Sequence, residues 1–71
     1  MSETHAIEAR LISQWLETRR TDWVKISPHW KKMADHRLTS QLCELLNYSR
    51  EAASHYTEEL AEKYRSKGWI R

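Results

Sequence analysis

The sequence holds one glycine, one proline and one cysteine among 71 residues. With only Gly68 and Pro28 as breakers, an all-β fold is excluded, because strands need turns between them. Cys43 has no second cysteine to join, so no intramolecular disulfide can form, which suits a reducing compartment. No apolar run of signal-peptide length follows Met1, and none approaches the roughly 20 residues of a membrane span. A cytoplasmic protein with no membrane partner is expected. Charge of one sign is also missing. Twelve basic residues stand against ten acidic ones, six and five in each half of the chain. That balance excludes a basic tail or an arginine-rich arm, so any affinity for a polyanion must come from local placement.

What remains is rich in helix formers and in aromatics. Ala, Leu, Glu, Lys, Arg and Gln dominate. Four Trp and three Tyr are a heavy load for this length, and each large aromatic can bury about 150–250 Å². A chain of this size forms one domain. On folding it buries only about 60% of its unfolded surface, so it often leans on a partner.

Hydrophobic spacing predicts an all-α bundle of about four helices. The first spans about Glu3 to Arg20, with Ile7, Leu11 and Trp15 inward, flanked by Ile12 and Leu16. Its polar face carries Glu8, Arg10, Gln14, Glu17 and Arg19. The segment Thr21 to Ser27 is expected to be a loop that plugs one end of the core with Trp23, Val24 and Ile26. Ser27 and Pro28 then mark a start, as N-cap and first helical residue of a short helix to about Ala34 bearing Trp30, Met33 and Ala34. Asp35 is expected to break it or to cap what comes next. A third helix, about Arg37 to Leu46, shows Leu38, Leu42, Leu45 and Leu46 as an apolar stripe. Asn47 suits the left-handed conformation that closes a helix, and Ser49 caps a fourth, about Arg50 to Ser66. That helix turns Ala53, Tyr56, Leu60 and Tyr64 inward. Gly68 ends it, and Trp69 and Ile70 fold back.

The run from Thr39 to Glu58 meets the steric demands of a helix-turn-helix. Cys43 is the small residue at the crossing, Asn47 takes the turn, Tyr48 plugs between the helices and Ser49 caps the second. Leu42 and Leu46 face the core, as do Ala53 and Tyr56. The segment LCELLNYSREAASHYTEELAEKYRSKGWIR is similar to the helix-turn-helix of bacterial and phage transcription regulators. Asn47 stands where Gly is usual, and Ala53 where a larger Val or Ile is common. The version expected is a helical module without a wing, since Arg71 ends the sequence.

The resemblance implies roles for particular residues. Arg50 would donate to guanine or phosphate, and Glu51 would accept from cytosine. Ser54 and His55 would reach base edges or backbone. Thr39, Gln41 and Ser49 would sit near phosphates, with Lys31, Lys32 and Arg37 adding backbone contacts. The implied function is a small regulator that binds double-stranded DNA as a homodimer, two modules reading two half-sites.

A second reading competes. Glu51, Glu58, Glu59 and Glu62 make the last helix acidic, which opposes a polyanion and suits a protein surface instead. Trp23 and Trp69, at element ends, are candidate anchors for a partner, as Trp, Tyr and Arg dominate interface hot spots. Trp15 and Trp30 are expected in the core. A small modulator of a protein complex, reading no DNA itself, fits these features, with Glu58 and Glu62 also at its interface.

Nothing points to catalysis, and no cofactor or small-molecule substrate is expected. His5, His29, His36 and His55 lack metal-ligand spacing, and Cys43 has no companion. No acid pair, glycine-rich phosphate loop or nucleophile triad stands out. A bundle this small can rarely spare a pocket of about 300–1,000 Å³.

Overall fold

A computed structural model describes residues 3–20 and 28–70. Among these residues the chain is helical and has no strand: α1 is Glu3–Arg19, α2 is Pro28–Leu46 and α3 is Arg50–Ser66. Each helix buries a column of residues four apart. The columns are Leu11, Trp15 and Arg19 in α1, Ala34, Leu38 and Leu42 in α2, and Ala53, Thr57 and Ala61 in α3. A step of four overshoots a full turn of 3.6 only slightly, so such residues form one ridge, ready to pack in a neighbour's groove. Ile7, Leu16, Leu46, Tyr48, Tyr56, Leu60 and Tyr64 pack around this centre, and Ile70 closes it.

Cross-helix contacts fix the directions. Glu8 meets Tyr56, Trp15 meets Tyr64 and Arg20 meets Trp69. The steps between partners are nearly constant, so α1 and α3 run parallel. On the other side Thr39 meets Thr57, while Asp35 and Ala61 line the same groove. Each pair lies equally far from the turn, so α2 and α3 run antiparallel. The described residues form an up-down-up arrangement of three helices.

The turn between α2 and α3 is three residues long, Asn47 to Ser49. Asn47 takes a positive φ of 58°, and Tyr48 N–H then donates to the Leu42 carbonyl at 3.3 Å. Asn tolerates this region better than other residues with a side chain, because its amide bonds locally. Ser49 is the N-cap of α3, its Oγ accepting from Ala52 N–H at 3.2 Å. The far end of α3 closes with paired bonds, Gly68 N–H to Arg65 carbonyl at 3.0 Å and Trp69 N–H to Tyr64 carbonyl at 2.9 Å. Gly68 has φ 76°, and the Tyr64 and Trp69 rings meet at 5.4 Å, completing a Schellman closure.

Several expectations need correction. The helices expected at 28–34 and 37–46 are one helix, unbroken at Asp35. Asp interrupts helices by turning its carboxylate onto nearby backbone. Here the carboxylate reaches α1 instead, accepting the Trp15 indole N–H at 2.7 Å. Arg19, expected on the polar face, is 2% exposed, stacked over the Trp15 ring at 5.8 Å and 3.7 Å from Asp35. Trp30 is not core but 46% exposed, and Met33 and Leu45 are exposed as well. They flank the α1–α2 contact without entering it. The loop role given to Thr21–Ser27, with Trp23, Val24, Ile26 and the Ser27 cap, lies outside the described residues.

Candidate functional site

The residues that the two readings single out occupy three different surroundings. Thr39 lies in the α2–α3 seam. Its hydroxyl donates to the Asp35 carbonyl at 3.0 Å and meets Thr57 Oγ1 at 2.9 Å. Gln41 and Arg37 line a groove of about 550 Å³ on the α1–α2 side, together with Trp30 and Met33. Lys31 is half-buried and Lys32 exposed on the first turns of α2.

The second surrounding is an open groove of about 620 Å³ between α2 and α3. Arg50 and Ser54 border it, and so do Glu58, Glu62, Arg65, Asp35 and His36. Its charges are mixed, three carboxylates with two arginines and a histidine. The positive rim that would guide a duplex is interrupted, because Arg37 stands on the other side of α2. Glu51, His55 and Glu59 occupy the outward face of α3. There His55 Nε2 lies 2.8 Å from Glu59 Oε1, one turn on, both well exposed. Ser49 is exposed, but its hydroxyl is engaged as the cap of α3.

These two grooves have volumes within the range of ligand pockets, although a bundle this small was expected rarely to spare one. Both are helix seams open to solvent. No group of three or more His, Cys, Asp or Glu among the described residues is placed to hold a metal ion. No described helix is long and apolar enough to cross a membrane.

The third surrounding is the end of the bundle where α1 and α3 finish. Trp69 is 51% exposed there. Arg20 approaches its ring at 5.9 Å and Lys67 at 5.7 Å, while Lys63 and Lys67 each lie 5.7 Å from the Tyr64 ring. A cation over an aromatic face is held by the ring quadrupole. Two aromatic rings with cations around them thus form one exposed patch. Sequence spacing singled out Trp69 but not Lys63, Tyr64, Lys67 or Arg20 around it. The Tyr64–Trp69 contact follows from Gly68 at a helix end. Arg20 arrives only through the parallel course of α1 and α3. Trp23, the companion anchor, lies outside the described residues.

Tyr56 links α3 to a charged side chain of α1, its hydroxyl donating to Glu8 Oε1. Burial, then the hydrogen bond and negative charge of Glu8, push its phenol well above the usual tyrosine range. Burial likewise lowers the Arg19 guanidinium from its ordinary value, opposed by Asp35 and aided by Arg65. Both groups tie α1 to a neighbouring helix, Tyr56 through Glu8 and Arg19 through Asp35.

Comparison with protein-family models, curated proteins and solved structures finds no match for this chain.

Proposed function

We propose that this chain is a small helical protein-binding module, a modulator that acts by occupying the surface of a partner. The observation that carries this reading is the setting of α3. It runs antiparallel to α2 and reaches α1 through Tyr56 and Tyr64, and its exposed residues include Glu51, Glu58, Glu59 and Glu62. A DNA-reading helix stands at roughly 90–120° to the helix before it and enters a groove about 12 Å wide. The antiparallel course of α2 and α3 favours a helical hairpin over that projection. The carboxylates also oppose a duplex that carries a negative charge about every 1.7 Å.

The second reading, a helix-turn-helix regulator binding double-stranded DNA as a homodimer, draws on the turn itself. Left-handed Asn47, half-buried Tyr48, the Ser49 cap and exposed Arg50 are the features it asks for. Duplex DNA titrated at low and at moderate salt, with wild type and Arg50→Ala, separates the two. The protein-binding reading expects no saturable binding and no effect of the substitution. Binding that falls steeply with salt and disappears in Arg50→Ala would replace it with the DNA regulator.

A further inference from the structure

The aromatic and basic end of the bundle goes further than a docking role in general. We infer that Trp69, Tyr64, Arg20, Lys63 and Lys67 form the docking surface, and that its occupant is an acidic amphipathic segment of a partner protein. This inference rests on the protein-binding reading above. Three observations carry it.

First, Trp69 is more open than its structural duty requires. A Schellman closure asks for one apolar contact, and Tyr64 supplies it at 5.4 Å. Half of the Trp69 surface is nonetheless exposed. Tryptophan is among the residues most enriched at interface hot spots.

Second, cations gather around this ring and its neighbour. Arg20 and Lys67 flank Trp69, and Lys63 and Lys67 flank Tyr64, all at 5.7–5.9 Å from a ring centre. Elsewhere on α3 the exposed charges are mixed or acidic. A partner carrying carboxylates pairs with these cations, and an apolar side chain beside them covers the indole. Such complementarity sets partner choice more than raw affinity.

Third, this end gathers the carboxyl ends of α1 and α3. Each helix end places about half a negative charge there, in its last carbonyls. The cations answer that field, which lowers the reach of the patch toward a polyphosphate. Short-range pairing plus apolar contact remains strong, and this favours a carboxylate-bearing protein segment over nucleic acid. The Trp30–Met33 groove offers comparable apolar surface, but Arg37 is the one Lys or Arg among the described residues of its lining, so charge selects no occupant there.

The test uses the full chain and a Glu-rich amphipathic helical peptide with a Leu and Phe face, beside its Gln-for-Glu counterpart. A single-stranded oligonucleotide is the third probe. The indole resonance of Trp69 reports on the patch, with those of Trp15 and Trp30 as internal references. Expected is saturable binding of the acidic peptide that moves the Trp69 signal. Trp69→Ala and, separately, Lys67→Glu should each weaken it about 10-fold or more, with circular dichroism unchanged. The Gln peptide should bind more weakly. Absence of binding overturns the acidic partner. Peptide binding that moves Trp30 or the acidic face of α3, and leaves Trp69 in place, overturns the patch but keeps the protein-binding reading. Oligonucleotide binding at Trp69, tighter than the peptide's, overturns both.

Discussion

Asp35 does at the residue scale what no neighbour in sequence could suggest. It takes the Trp15 indole proton at 2.7 Å and faces the Arg19 guanidinium at 3.7 Å, so one carboxylate serves two buried groups. Its own side chain is 31% exposed, which keeps the pair from a full desolvation cost. Asp35→Ala should destabilise the protein by about 1–3 kcal/mol, as buried donors lose their acceptor. Asp35→Asn, which keeps an acceptor for the indole, should cost less. Equal losses in urea denaturation would refute the hydrogen bond as the larger contribution. Tyr56 makes a second residue-scale prediction. Its phenol titrates higher folded than unfolded, where the value is about 10. The fold therefore favours the protonated form. That stabilisation is intact below the unfolded value and is lost as pH climbs from there toward the raised folded one. Above about pH 10, wild type should lose stability faster than Tyr56→Phe. Parallel losses in the two proteins would show that the Glu8 contact contributes nothing to this alkaline slope.

At the scale of elements, α3 owes its place to small side chains. Ala53, Thr57 and Ala61 are buried in a row, and a hydroxyl pair, Thr39 and Thr57, bridges the seam at 2.9 Å. Small residues let two helices approach toward the short end of the usual 8–10 Å separation. Ala53→Leu should overpack the seam and cost about 1–3 kcal/mol, while Ala52→Leu, one position away and exposed, should change stability by less than about 0.5 kcal/mol. Thermal melts of the two variants check this, and equal midpoints would mean that the seam is loose. The sequence made α1 and α3 legible, with their ends, because spacing, Ser49 and Gly68 are local signals. Asn47 was legible for the same reason. The unbroken course of α2 was not, because Asp35 is a breaker only while its carboxylate has no distant partner. The candidate site was legible in part. Helical periodicity gave Trp69 an end position, but the cations around it come from two helices brought side by side by tertiary packing.

For the whole molecule, one side chain joins all three described helices. Trp15 belongs to α1, donates to Asp35 of α2 and sets its ring 6.1 Å from Tyr64 of α3. At 71 residues the total stability is expected near 4–11 kcal/mol, about 0.05–0.15 kcal/mol per residue. Emptying a core tryptophan site typically costs about 3–5 kcal/mol. Trp15→Ala therefore removes from about a quarter to all of the stability, since the same change also strands the Asp35 acceptor and the face on which Arg19 stacks. In a domain of this size each kcal/mol moves the midpoint by about 4–8 °C, so the melt should fall by at least about 12 °C. Trp30→Ala is the matched comparison, the same deletion at a site that is 46% exposed, and it should move the midpoint by less than about 4 °C. Far-UV circular dichroism melts of both variants decide the matter. If Trp30→Ala destabilised the protein as much as Trp15→Ala, stability would be centred on the α1–α2 groove rather than on the junction of the three helices. The Trp30–Met33 face would then be structural, and the free docking surface of the molecule would be confined to the Trp69 end.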